Sequence, residues 1–424
     1  VENIAATQEK YKKWFRYFLF ALVAGLLIFS VIRALKPSDF SVYLEAGNYL
    51  KNGQNPYGEW LFVSEGNYCK YFYSPLWALI LIPFTYFPPF IPSFIWLLGS
   101  IFFLYRIAVL LRLYAHIQRL NPQLERWVFM GVLVCSARFV LDNFAMVQLT
   151  IFLVWSSLEA LRLMQSKNWV YGAALLPFAI NVKLLPLVLI PYLLYRGHFK
   201  ATTVILLFSV FYLLVPALFL GWEMNTLLLQ GWFDVINPSN AEHTLETELG
   251  PHSLTALIPT LFSKTDGILD LNRNLFSFSL QRAITVLQIV RLALILLTLY
   301  FIGKRIFRPA ETALHELYAL AYIFLLIPLI FPHQQKYAFF CLVPTFYYIF
   351  CFLAYTVETH TGIKRRKTAV CVLLAISFVC MTLTTDGFVG RDLNEVFQHY
   401  KLITYGALLL IPALMLAHPK FIQR

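Results

Sequence analysis

Asp39 is the residue whose type and position most invite a chemical role. It follows Lys36-Pro37-Ser38, directly beyond the first long apolar run, so a carboxylate stands just outside a segment suited to lipid. Ionisable groups in or beside hydrocarbon are costly and for that reason are read as functional by default. The same residue type also caps helices, and the sequence leaves both roles open. Pro37 ends the preceding helix, and Ser38 or Asp39 can start a short one running through Leu50. In that helix Asp39 and Tyr43 are i,i+4 neighbours on one face. Two further clusters follow in the same polar, tyrosine-rich stretch. Asn52-Gly53-Gln54-Asn55-Pro56-Tyr57 is built of turn residues that force a reversal. Tyr71-Phe72-Tyr73-Ser74-Pro75 leads into the next apolar run.

Downstream, Gln148 and Lys183 lie inside apolar stretches, and His333 and Lys336 occupy a short polar step late in the chain. A lysine among apolar residues either finds a partner or snorkels to the interface. A glutamine there binds a ligand hydroxyl or pins another helix. Arg138 and Asp142 are i,i+4 and are expected to neutralise one another. Asp234, Glu242, Glu246 and Glu248 share a long polar interval with Trp222, Trp232 and Phe233, and the sequence gives none of them a catalytic role. No Cys-x-x-Cys or comparable ligand spacing is present, and five of the six cysteines lie in apolar segments, so neither a metal nor a disulfide framework is expected.

The elements that must hold these residues are membrane helices. Hydrophobic residues make up 59% of the chain and charged residues 13%, a balance with too little polar surface for a soluble domain of 424 residues. Apolar runs of spanning length recur, near 14–35, 75–88, 90–111, 127–141, 144–164, 169–196, 201–221, 281–302, 313–331, 335–356, 368–383 and 400–418. They predict an all-α polytopic protein with about twelve crossings and both termini cytoplasmic. The intervals 36–74 and 222–280 then become large outer loops. No small-residue cleavage site follows the first run, so it is expected to be retained.

The net charge of +12 is dispersed over short segments: Lys10 to Arg16, Lys304 to Arg308, Lys364 to Lys367, and Lys420 with Arg424. That is the positive-inside pattern, not a nucleic-acid surface, and no nucleic-acid partner is expected. The basic connection from Arg112 to Arg126 falls outside on this count. Making 75–88 re-entrant and breaking 169–196 at Lys183–Pro186 restores the charge rule and keeps both large loops outside.

The order D-F-x-x-Y, N-P-Y, Y-x-Y-S-P between apolar helices resembles glycosyltransferase family 87, polyprenyl-phosphate-mannose-dependent enzymes of the GT-C class. Gln148 falls where that family often carries a Gly-Gln pair, with Val147 in place of the glycine. Tyr171-Gly172 through Asn181-Val182-Lys183-Leu184-Leu185-Pro186 is similar to the family's G…K-x-x-P segment. His333 resembles its late-loop histidine, although Pro332-His333-Gln334-Gln335 lacks the usual tryptophan.

The resemblance implies one integral membrane GT-C domain over 1–424, in the bacterial cytoplasmic membrane with its site facing the periplasm or exterior. It implies inverting transfer of a sugar, mannose foremost, from a polyprenyl-phosphate donor to a lipid or glycan acceptor. Asp39 is then the general base. Tyr43, Asn55, Tyr57 and Tyr73 shape the pocket, and Gln148 meets a sugar hydroxyl. Lys183, His333 and Lys336 stand on the phosphate side, with no metal and no cofactor required. A GT-C enzyme using arabinofuranose, a lipid or solute transporter, or a non-catalytic envelope subunit are the rival readings; a transporter would be expected to show repeated halves, which this chain lacks.

Overall fold

The computed structural model describes residues 2–115, 122–357 and 361–422. Residues 116–121 of the basic Arg112–Arg126 connection lie outside the described residues, as do the side chains of Lys10 and Lys12 and the terminal Arg424. The helices in chain order are α1 Glu2–Ala34, α2 Phe40–Lys51, α3 Pro75–Leu81, α4 Phe90–Ala115, α5 Pro122–Ala145 and α6 Thr150–Met164. There follow α7 Trp169–Val182, α8 Leu189–Tyr195, α9 Phe199–Leu220, α10 Trp222–Ile236, α11 Leu254–Phe262 and α12 Leu280–Ile302. The chain closes with α13 Ala313–Ile330, α14 Val343–Tyr355, α15 Thr361–Met381, α16 Asp386–Val389, α17 Arg391–His399 and α18 Leu402–Leu416.

Helices dominate because a chain in lipid must satisfy its backbone polar groups within each segment. Seven helices among the described residues are long and apolar enough to cross a bilayer, or eight if α17 and α18, bent by 58°, form one span. The protein is therefore an integral, multi-pass membrane protein. The twelve apolar runs thus resolve into long helices and shorter or broken ones. The run at 75–88 is a short α3 followed by a 3₁₀ turn at Ile82–Tyr86, where Pro83 interrupts regular bonding. The run at 169–196 breaks at Lys183, which is extended, before a 3₁₀ turn at Leu185–Val188 and α8. Both departures fall where re-entry and a break restore the charge rule. The run at 368–383 becomes α15, whose first turns carry Lys364 to Lys367.

Burial separates the central helices from the lipid-facing ones. In α13 and in the span Lys336–Tyr355, 72% and 78% of the apolar window is buried, against 6% in the Lys13–Ala34 span of α1. The first expected outer loop is itself structured. After α2 comes a hairpin, β1 Trp60–Ser64 against β2 Asn67–Lys70, antiparallel with Leu61 opposite Cys69. This hairpin is a small β addition that the helical reading lacked. Its alternation is visible in burial: Leu61 and Val63 point inward while Trp60 and Phe62 are exposed. The second expected loop carries α10 and α11. Helix α10 presses on the first loop through Gly231, where a Cβ would come within 2.9 Å of Tyr57 Cβ. The Trp232 indole adds a hydrogen bond to the Phe72 carbonyl at 3.2 Å.

Candidate active site

Asp39 stands at the N-cap position of α2, yet its side chain makes no capping hydrogen bond. It instead accepts a hydrogen bond from Gln148 Nε2, far along the chain at the end of α5. The capping reading of this carboxylate is therefore not the one the geometry uses. Burial pushes the Asp39 carboxyl up from its ordinary 3.8 to about 6, against the opposing pull of the Gln148 bond and the Lys183 charge. A group with this value is ionised at neutral pH but still basic enough to accept a proton.

Gln148 is held by an unusual helix ending. The Val147 amide bonds to Phe144 O and the Gln148 amide to Asn143 O, the paired bonds of a Schellman motif. The residue between helix and Gln148 must then be left-handed, and Val147 is, with φ of 50°. This explains why a glycine suits that position in the family pattern, and Val147 fills it by a fully buried side chain instead. The Gln148 carbonyl accepts from the Trp96 indole at 3.1 Å, so both ends of the residue are fixed.

One turn along α2, the Tyr43 hydroxyl lies 2.7 Å from Tyr73 Oη and 3.3 Å from Gln148 Oε1. The predicted i,i+4 pairing of Asp39 and Tyr43 thus converges on a single glutamine. Burial raises the Tyr43 phenol above its ordinary range, so it remains a donor. Tyr73 is placed by α3, whose start is locally encoded: Ser74 Oγ accepts from the Trp77 amide and Pro75 occupies the first turn. Tyr57 donates to the Tyr73 carbonyl at 2.7 Å, and Asn55 Oδ1 accepts from the Tyr57 amide. Asn55 and Tyr57 therefore support Tyr73 from beneath. The Lys183 ammonium sits 5.3 Å from the Tyr73 ring and 5.7 Å from that of Tyr337, at the break after α7.

A second set lies alongside. His333, left-handed with φ of 59°, has both its amide and its Nδ1 2.8 Å from Glu246 Oε1. Ser253 Oγ donates to the other carboxylate oxygen at 2.9 Å. The His333 ring is 5.3 Å from that of Phe72 and 5.0 Å from that of His243, and its Nε2 has no hydrogen-bond partner. Adjacent residues Phe72 and Tyr73 therefore join the two sets. Lys336 is placed elsewhere: its charged neighbours are Asp142, Arg138 and Asp386. Arg138 is 3.8 Å from Asp142 and donates to Met381 O and Thr384 Oγ1, tying α5 to the end of α15. Trp96 and Tyr337 carried no signal in the sequence, and Glu246, one of several carboxylates in an aromatic-rich loop, meets His333 across 87 positions. Among the described residues no three His, Cys, Asp or Glu side chains gather as a metal site would require.

The profile described as Glycosyltransferase family 87 matches residues 71–332, more than half of the chain. The chain belongs to this family. No curated protein and no solved structure matches it. The protein is accordingly a membrane glycosyltransferase, all-α among the described residues apart from one hairpin. The matched range contains Tyr73, Gln148, Lys183 and Glu246. Asp39, Tyr43, Asn55 and Tyr57 precede it, and His333 and Lys336 lie just beyond. The glycosyltransferase thus draws the Asp39 carboxylate from outside the matched range and that carboxylate's amide partner from inside it.

Proposed function

We propose that this glycosyltransferase transfers a sugar, mannose in the first instance, from a polyprenyl-phosphate donor to a lipid or glycan acceptor at the outer membrane face. The observation that carries this reading is the half-buried Asp39 carboxylate with its raised pKa, oriented by Gln148 and within electrostatic reach of Lys183. In a single displacement the acceptor oxygen attacks the anomeric carbon. Its proton passes to Asp39, and the bond from that carbon to the phosphate oxygen breaks, with its electron pair leaving on the phosphate. The configuration inverts. Charge grows on the departing phosphate, and fixed cations or donors aimed there lower the barrier. Lys183 and the unpartnered His333 Nε2 fill that role, with Glu246 holding the histidine ring.

Tyr43 and Tyr73 shape the sugar pocket and keep Gln148 oriented; Asn55 and Tyr57 act through Tyr73. Lys336 serves the Arg138–Asp142 group and is the weakest of the expected phosphate contacts. In this reading the whole of 1–424 forms one GT-C domain in a bacterial cytoplasmic membrane. The test is transfer by purified protein in nanodiscs from radiolabelled polyprenyl-phosphate mannose to a membrane glycolipid extract. Labelled glycolipid of inverted anomeric configuration supports the proposal. A product of retained configuration, or no transfer with any polyprenyl-phosphate sugar offered, overturns it.

A further inference from the structure

Away from Asp39, a partly open cavity of about 190 Å³ lies between α11, the segment leading to α12, and the bend between α17 and α18. That volume is several times the roughly 30 Å³ share of one liquid water. Arg273, His399 and Lys401 line it, and all three are more than nine-tenths buried. None of them is ion-paired to a carboxylate among the described residues. They are satisfied only in part, and only by backbone carbonyls. Arg273 reaches Thr247 O and Asp266 O at 3.4 and 3.3 Å, Lys401 reaches Glu248 O and Leu249 O at 2.5 and 3.2 Å, and His399 Nε2 lies 2.9 Å from Leu271 O. Arg273 Nε and His399 Nδ1 are buried without any partner. Of the carboxylates within electrostatic reach of Lys401, Glu246 is committed to His333 and Ser253, and Glu248 is exposed.

A guanidinium and an ammonium withdrawn from water carry a large desolvation cost that carbonyl dipoles offset poorly. An anion in the cavity they line would offset it directly, through charge-assisted hydrogen bonds. The remaining lining sets apolar Leu257, Leu261 and Leu275 beside polar Thr260, Asn272 and Asn274. Leu275 is 75% exposed, and exposed Phe276 and Phe278 follow it toward the first turn of α12. Such a rim suits a charged head with an apolar body beside it.

We propose that Arg273, His399 and Lys401 form a binding site for a phosphate group, separate from the Asp39 site, taken from a phospholipid head or from free phosphate. The full chain in detergent is titrated with phosphatidic acid, with diacylglycerol as the neutral control, and separately with inorganic phosphate. Binding is read by native mass spectrometry for the lipids and by thermal midpoint for phosphate. The variants are Arg273→Gln and Asn272→Glu. Asn272 is exposed on the rim, so its replacement adds a repelling carboxylate without touching a buried group. Lys183→Met marks binding at the Asp39 site.

Retention of phosphatidic acid at least tenfold better than diacylglycerol, kept in Lys183→Met and lost tenfold in Asn272→Glu, supports the site with a lipid source. A phosphate-dependent rise in midpoint with the same variant pattern supports it with a free source. No binding of either ligand, or binding that Asn272→Glu leaves unchanged, overturns it. Sugar transfer is not the readout, so failure here leaves the proposed function standing.

Discussion

Replacing Asp39 with Asn separates catalysis from folding in a way few substitutions do. The folded carboxyl holds its proton up to pH about 6, whereas its ordinary value is 3.8. Between those values the folded state binds more protons than the unfolded one, so stability falls as pH rises through that window. Above it the ionised carboxylate costs the fold up to about 3 kcal/mol, at about 1.4 kcal/mol for each pH unit that separates the two values. Asparagine is nearly isosteric and its Oδ1 still accepts from Gln148, so Asp39→Asn removes that cost. The thermal midpoint of the variant at pH 7.5 is expected to exceed that of wild type, and the difference is expected to vanish near pH 4. Sugar transfer is expected to fall by about 10²–10⁴-fold, the usual contribution of a general base. Wild-type transfer should lose activity tenfold per pH unit below about 6, as the base becomes protonated. Transfer assays and thermal melts on the same nanodisc samples decide the matter. Undiminished transfer in Asp39→Asn refutes the base; a lowered midpoint at pH 7.5 refutes the desolvated, destabilising carboxylate.

Gln148→Glu places a second carboxylate against Asp39 and should move the acidic limb of the pH–rate profile up by about one unit or more, since like charges favour the protonated form. At position 147 the usual helix preference should invert. Gly is expected to be more stable than Ala by about 1 kcal/mol, because only Ala keeps the strain of a positive φ once the valine packing is lost; chemical denaturation of the two variants measures it. Glu246→Gln removes the charge that clamps His333 and should lower both the thermal midpoint and the transfer rate, by about 1–2 kcal/mol in stability after allowance for the partly exposed histidine. His333→Ala should lower the rate with a smaller loss of stability, and the paired measurement distinguishes clamp from ligand.

Local signals were readable where a single stretch of chain carries them. Ser74-Pro75 announces a helix start, and the observed cap and first turn follow it. Pro37 and the residues after it announce a short helix to about Leu50, and α2 ends at Lys51. The break at Lys183 sits beside Pro186 for the same reason. What escaped is what only folding brings together. The Asp39–Gln148 bond spans 109 positions and the His333–Glu246 clamp 87, and no local pattern tells which residue will meet which. Glu246 in particular resembled any acidic residue of a solvated loop, yet it is buried. The hairpin escaped because its inward residues are only Leu61 and Val63, too short an alternation to stand out beside long helical runs.

The helix ending at Val147 makes this chain unequally tolerant of length change. Gln148 reaches Asp39 only because the Schellman bonds fix how many residues separate it from the last turn of α5. One residue inserted or lost within 143–148 would turn the glutamine by about 100° and shift it by about 1.5 Å along the helix. The carboxylate would lose its partner although every motif residue remained. The turn at Glu65-Gly66, on an exposed hairpin tip, imposes no such register. Homologues are therefore expected to vary in length at that tip and to keep the count from Asn143 to Gln148 fixed, whatever residue they place at the left-handed position.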